Sequence, residues 1–212
     1  MENPCCRLGA EYFSGKNILN ESENFFVVPS VGQMGIEGYV LICSKKHFNG
    51  SGDIPSEYHD ELEKITELTR ERISSFYQSD SLVFEHGPKV GCFKGGGCLD
   101  HAHLHVVTTS KDILSNLLLD MKDRLSPKDY YKLERIEGFD PLSKIYNSQT
   151  SSYMYLQTPD CKKFATEVNF FIPSQYIRQI ISKSEGLSNW NWRTNPDPGT
   201  FQKTLNSLRN KF

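Results

Sequence analysis

The sequence predicts an α+β fold: a mainly antiparallel sheet of about five strands, one long helix, and a C-terminal hairpin with further helices. Three observations predict it. Short Val-, Ile- and aromatic-rich runs at 25–31 and 39–44 are separated by Gly32, Gly35 and Gly38. A helical-period apolar stripe spans 54–78. Residues 101–108 alternate between two chemical classes.

The first two runs read as paired strands joined by a glycine-bearing turn. In 54–78, Tyr58, Leu62, Ile65, Ile73 and Phe76 mark one face of a helix, with Glu and Arg filling the other positions. Pro55 suits its first turn, and His59 reads as a surface position. Residues 82–84 form a short apolar strand, followed by the glycine-rich loop 91–97 and the strand 101–108.

Beyond this, 113–125 is helical, and Ser126-Pro-Lys-Asp129 looks like the capped start of another helix. Residues 153–157 and 163–171 flank Thr158-Pro-Asp160 as a β-hairpin. Ser174 is placed to cap a helix ending near Gly186, and a last helix starts at about Gly199. The expected organisation is a domain over 1–115 and an extension over 116–212 packed on it, with no flexible linker between.

Composition narrows the function. The chain has 212 residues, 37% of them hydrophobic, with 24 basic against 26 acidic side chains. That is enough apolar mass for a core. A protein gripping DNA or RNA by its phosphates needs a basic excess or stripe, so nucleic acid is not the expected partner. A small phosphate ligand needs only a local site. No run of about 18 apolar residues predicts a membrane span. The N-terminus lacks the basic-then-apolar pattern of a signal peptide, so the expected location is cytoplasmic. The six cysteines, Cys5, Cys6, Cys43, Cys92, Cys98 and Cys161, form no disulfide framework.

The chemistry concentrates in His101-Ala-His103-Leu-His105-Val-Val107. On a strand the three imidazoles share one face, and Ala102, Leu104 and Val106 take the other. Three readings are open: a polar solvent face, a metal site, and a phosphate site with a central nucleophile. Alternate histidines can chelate zinc at about 2.1 Å per bond. The outer pair, however, lie about 13 Å apart at Cα, which suits a ligand lying along the strand better than a single ion. A neutral imidazole is a good nucleophile near pH 7, with an ordinary pKa of about 6.5. One ring nitrogen attacks while a backbone carbonyl holds the proton on the other, and flanking imidazoles meet the phosphate oxygens.

This run resembles the histidine-triad (HIT) superfamily pattern, His-φ-His-φ-His-φ-φ. The resemblance covers about 18–108. It is carried also by Ile18-Leu-Asn-Glu-Ser-Glu-Asn-Phe-Phe-Val27, Gly38-Tyr-Val-Leu-Ile42, Lys45-Lys-His47 and Gly95-Gly-Gly-Cys-Leu-Asp-His101, in the family's order. The tail, with Pro173-Ser-Gln-Tyr-Ile-Arg178 and Trp190-Asn-Trp-Arg193, resembles that of a bacterial-type HIT branch.

The resemblance implies a HIT-like fold. It also implies a nucleotidyl hydrolase in which His103 attacks the α-phosphorus of a dinucleoside polyphosphate or nucleoside phosphoramidate, through a nucleotidyl-histidine intermediate. His105 contacts the α-phosphate and bridging atom, and His101 orients. The nucleotide- and phosphate-binding candidates are His86, Glu85, Lys94, Gly96, Gly97, Cys98 and Asn24. Alternatives are a nucleotidyltransferase or phosphorylase, and a non-catalytic nucleotide-binding regulator. Tyr39 stands where many members carry a supporting histidine. No cofactor is expected. Some relatives hold structural zinc, for which Cys5, Cys6, His47 and His101 are the weak candidates, lacking the relatives' Cys-x-x-Cys. A homodimer or a monomer is expected.

Overall fold

The computed structural model describes residues 15–88, 101–126, 129, 131–148, 152–168 and 170–212. Its framework is one antiparallel sheet of eight strands. These are β1 (Asn20–Glu21), β2 (Phe25–Pro29), β3 (Val40–Ser44), β4 (Ser81–Gly87), β5 (His103–Thr108), β6 (Tyr131–Ile136), β7 (Ser152–Gln157) and β8 (Lys163–Val168). Their order is β1-β2-β3-β5-β4-β7-β8-β6. The sheet runs without a break across residue 115, because β7 pairs β4 with Phe84 opposite Leu156 and His86 opposite Met154.

The α+β class and the antiparallel sheet match expectation, but the strand count is higher. The turn at Ser126 does not start a helix. Ser126 N–H donates to Asp129 Oδ2, Asp129 N–H donates to Ser126 O, and strand β6 follows. Tyr131-Lys-Leu-Glu-Arg-Ile136 pairs along its whole length with β8, so long-range pairing overrides the local capping pattern.

Among the described residues five α-helices cover the two faces of the sheet. They are α1 (His59–Tyr77), α2 (Ile113–Arg124), α3 (Asp140–Ser148), α4 (Tyr176–Ser184) and α5 (Pro198–Leu208). Strand alternation divides the core accordingly. On one face Phe25, Val27, Val40, Ile42, Val83, Leu104 and Val106 pack with Leu62, Ile65 and Ile73 of α1 and Leu142 and Ile145 of α3. On the other, Phe26, Val28, Leu41, Cys43, Phe84 and Val107 pack with Leu117 and Met121 of α2 and Ile177, Ile180 and Ile181 of α4.

The long helix starts later than predicted. Two 3-10 turns, Ser51–Asp53 and Ser56–Tyr58, precede it, with Ile54 and Pro55 extended between them. Proline disfavours the helical conformation for the residue before it, and Ile54 obeys. Phe76 is 42% exposed, and Arg70 takes a buried position instead, donating to Thr158 O and Pro159 O of the β7–β8 turn. His59 is buried rather than on the surface. Its Nδ1 meets Asp140 Oδ1 at 2.8 Å and its Nε2 meets Ile54 O at 3.0 Å, tying the starts of α1 and α3 together.

Helix α4 is not capped by Ser174. The preceding residue is Gln175, left-handed at φ 62°, and it makes no side-chain cap. The helix closes at Gly186, φ 71°, as predicted. Helix α5 begins at Pro198, with Asp197 Oδ1 accepting from Thr200 N–H. No helix among the described residues is long and apolar enough to cross a membrane.

Candidate active site

The triad lies on the face covered by α2 and α4. In β5, Leu104 and Val106 join the α1 side, so His103 and His105 turn to the opposite side. There His103 pairs across from Cys43, and His105 from Leu41 and Phe84. The regular strand begins at His103, not at His101. Just before it, Ala102 N–H donates to Phe48 O, and Ala102 O accepts from Ser44 N–H at 3.3 Å. His101 is held separately: its Nε2 lies 2.6 Å from Ser44 O and 3.1 Å from Ser44 Oγ.

The key geometry is at His103. Its Nδ1 lies 2.7 Å from His101 O. A carbonyl oxygen only accepts, so Nδ1 holds the proton and donates it. Nε2 is left with its lone pair, as a nucleophile requires. Burial pushes the His103 pKa down to about 4, against the His101 carbonyl and with help from the His101 and Arg178 charges. The ring is therefore neutral at pH 7 and only 7% exposed.

His105 stands beside it, ring centroids 4.7 Å apart and planes at 71°. It stacks on Phe84 at 4.4 Å and 7°, which fixes the ring plane. Burial holds its pKa well below the usual value, with the charges of His103, Arg178 and His86 adding to the effect. Burial also lowers His101, opposed by the Ser44 carbonyl and helped by the His47 charge.

Tyr39, buried next to β3, meets His105 Nδ1 through its hydroxyl at 2.7 Å. Behind Tyr39 stands a group that no sequence pattern around the triad announces. Arg178 of α4, 1% exposed, donates from Nη1 to Tyr39 Oη at 2.8 Å, from Nε to Trp190 O at 2.9 Å and from Nη2 to Gly32 O at 2.8 Å. The signal available in the sequence was a lone arginine among Tyr176, Ile177, Ile180 and Ile181.

Two of the candidate ligand-contact residues are engaged within the protein. Glu85 and His86 are adjacent in a strand that extends to Gly87, so they face opposite sides. Glu85 points to the α1 and α3 side, where Oε1 accepts from Ser51 N–H at 2.8 Å and Oε2 from Tyr153 Oη at 3.0 Å. Burial raises its pKa to about 7 against those bonds. Asn24 is engaged by α1: its backbone N–H and its side-chain amide each donate to Glu61 at 2.7 Å.

His86 does lie on the triad side, but not as a cation. Its Nε2 accepts from Ile177 N–H at 3.1 Å, and burial, with the charges of His103 and Arg178, pushes its pKa to about 3. Lys94, Gly96, Gly97 and Cys98 lie outside the described residues, as do Cys5 and Cys6.

For a zinc ion, the described part of the candidate set is His47 and His101, whose rings are edge-on at 5.4 Å. His101 Nε2 points its proton at a carbonyl, so that nitrogen has no lone pair for a metal. Among the described residues no group of three or more His, Cys, Asp or Glu side chains is arranged to hold an ion.

No family model matches the sequence. No curated protein matches it either. Solved structures do match. A HIT family protein from Bacillus anthracis overlays 59% of this chain and 100% of its own length, at 13% identity and a TM-score of 0.44. A hypothetical histidine triad nucleotide-binding protein from Sulfolobus tokodaii overlays 63% and 82%, at 20% identity and 0.39. A zinc-bound histidine triad family protein from Mycobacterium smegmatis overlays 66% and 89%, at 17% identity and 0.40. These structural neighbours are histidine-triad proteins.

Proposed function

We propose that this chain is a histidine-triad nucleotidyl hydrolase that cleaves nucleotide conjugates at the α-phosphate through a His103 adduct. The observation that carries the reading is the 2.7 Å contact from His103 Nδ1 to His101 O, which leaves Nε2 as a neutral, oriented nucleophile. In the first step the Nε2 lone pair bonds to the α-phosphorus. The bond from phosphorus to the leaving oxygen or nitrogen breaks, and the leaving group takes the electron pair. In the second, water attacks phosphorus and the P–N bond breaks, returning its pair to His103 Nε2; one proton of the water stays on the new P–OH and the other is released to solvent, balancing the proton the leaving group takes up from solvent. Splitting one displacement into two is the gain from covalent catalysis. His105, held on Phe84, supplies a hydrogen-bonding group next to the reacting centre. His101 orients His103 through its carbonyl.

On this reading residues 1–115 form the catalytic half. Residues 116–212 form an extension whose α4 braces the triad face. The test offers adenosine and guanosine dinucleoside polyphosphates and adenylyl phosphoramidates, follows mononucleotide release, and traps the adduct by mass spectrometry. Release with an adduct on His103 is expected, and both vanish in His103→Ala. An adduct that persists in that variant overturns the nucleophile. No turnover and no adduct across the panel leaves a nucleotide-binding protein rather than an enzyme. A chase with phosphate or a sugar phosphate that yields a new nucleotide product makes it a transferase.

A further inference from the structure

Two histidines two residues apart on β5 face chemically different partners. His103 Nδ1 faces a carbonyl, which can only accept. His105 Nδ1 faces the Tyr39 hydroxyl, which can donate or accept. A hydroxyl alone therefore leaves the His105 proton undetermined: the bond forms equally well with the proton on tyrosine or on Nδ1.

Arg178 removes that ambiguity. Guanidinium has five N–H donors and no acceptor. Its Nη1 donates to Tyr39 Oη at 2.8 Å, and its Cζ lies 5.2 Å from the centre of the tyrosine ring. A cation donating to the phenol oxygen polarises the O–H bond outward and makes it the stronger donor. The same cation repels a proton added to His105.

We propose that Arg178 is a positioning residue: through Tyr39 it fixes His105 with a bare Nδ1 and a protonated Nε2, the reverse of His103. One strand then presents a lone pair at His103 Nε2 and an N–H at His105 Nε2. The first attacks phosphorus, and the second donates to a phosphoryl or bridging oxygen. This catalytic use rests on the hydrolase reading above; the tautomer assignment does not.

The placement of Arg178 is otherwise costly. Among the described residues none of the ion pairs includes it, so a buried cation is held only by three neutral oxygens, those of Tyr39, Trp190 and Gly32. Packing alone favours an apolar side chain at such a position on α4. A cation kept without a carboxylate beside a neutral triad matches a site that takes its negative charge from a phosphate-bearing substrate.

The test is long-range ¹H–¹⁵N correlation of the histidine rings in the full-length protein, labelled at histidine and held near pH 7.5. The expected spectrum gives His103 the Nδ1–H form and His105 the Nε2–H form. In Tyr39→Phe and in Arg178→Met the His105 signals shift toward a mixture of tautomers, while those of His103 stay. Arg178→Lys, which keeps a charged donor, restores part of the wild-type pattern. An Nδ1–H form of His105 in the wild type overturns the proposal. So does a His105 pattern unchanged in Tyr39→Phe, a variant that keeps the ring and tests the point even if Arg178→Met fails to fold. On a turned-over nucleotide conjugate, Tyr39→Phe and Arg178→Met lower kcat by about ten- to a hundredfold with little change in KM. Absence of all turnover in the wild type counts against the hydrolase reading and leaves the ring spectra to decide this one.

Discussion

The backbone N–H of Ile177 donates to His86 Nε2 across 3.1 Å. This bond fastens the first turn of α4 to β4, the strand beside the triad strand. The first N–H groups of a helix have no partner within it, and here a neutral imidazole supplies one. The bond needs a bare Nε2, so the single ring proton sits on Nδ1, and burial, which pushes the pKa down to about 3, keeps a second proton off the ring. His86→Ala leaves a buried N–H without an acceptor and a cavity around it. The expected loss is about 2–4 kcal/mol in urea denaturation. His86→Gln, which offers an amide oxygen, recovers part of it. Equal losses in the two variants would assign the effect to packing alone.

Acid should unfold this protein early, and the sign follows from the histidines. His86 and His103 have folded pKa values of about 3 and about 4, and His105 lies well below its usual value. Unfolded, each binds a proton near 6.5. Below that pH the unfolded chain holds more protons than the folded one, so stability falls as pH falls. Each residue contributes up to about 1.4 kcal/mol per pH unit between its two pKa values. Urea midpoints should drop steeply from pH 6.5 to 4, and replacing His103 with Asn should make the slope shallower. A flat profile over that range would remove the neutral, buried triad.

Glu85 acts in the opposite direction. Its folded pKa is raised from 4.5 to about 7 by burial, against the bonds from Ser51 N–H and Tyr153 Oη. Its contribution is fully present below 4.5 and is lost as pH rises through 7, because the buried carboxylate must then ionise. Glu85→Gln keeps an oxygen for Ser51 N–H and cannot ionise. The variant should match the wild type below pH 4.5, become relatively more stable from pH 4.5 to 7, by up to about 1.4 kcal/mol per unit, and keep that advantage above pH 7. Nucleotide turnover should survive this change, since Glu85 faces the side of the sheet away from the triad. Loss of activity at unchanged stability would return Glu85 to the site.

The contrast between Glu85 and Arg178 marks what the sequence made legible. Period-two alternation placed His103 and His105 on one face correctly, because Ala102, Leu104 and Val106 declare the other. The same rule separates Glu85 from His86, but only once β4 is known to reach Gly87, and the apolar residues alone end that strand at Phe84. Tyr39 is singled out only by the resemblance, which implies a supporting residue at its place after Gly38. Arg178 was not legible. It lies 139 positions from Tyr39 along the chain, and its role appears only when α4 docks over β4 and β3. Strand β6 was hidden by a Ser-x-x-Asp turn that mimics a helix cap, since pairing with β8 is a long-range fact. Local pattern placed His103 and His105 on one face, and tertiary packing brought Arg178 to Tyr39 behind them.

Gly32 tests whether that packing matters to the chemistry. It accepts from Arg178 Nη2 at 2.8 Å through its carbonyl. A Cβ built there would fall 2.3 Å from Trp192 Cβ and 2.6 Å from Arg178 Nη2. Such contacts cannot stand, so Gly32→Ala must push either the tail around Trp192 or the guanidinium itself. Overpacking of this kind costs about 1–3 kcal/mol, measurable by thermal or urea unfolding. If the tail gives way alone, stability falls and the His105 tautomer is kept. If the guanidinium gives way, Nη1 leaves Tyr39 and the proton between Tyr39 and His105 loses its direction. The Cβ meets Nη2 directly as well as the Trp192 backbone side, and Nη2 is a side-chain end one bond from the carbon that carries Nη1, so the second outcome is expected. Gly32→Ala should then lower kcat on a nucleotide conjugate in proportion to the shift in the His105 ring signals, at a temperature where the variant is still fully folded. A variant destabilised to the same degree at Gly52, where a Cβ meets Leu142 O at 2.7 Å and Tyr146 Cβ at 2.8 Å beside α3, should leave those signals in place.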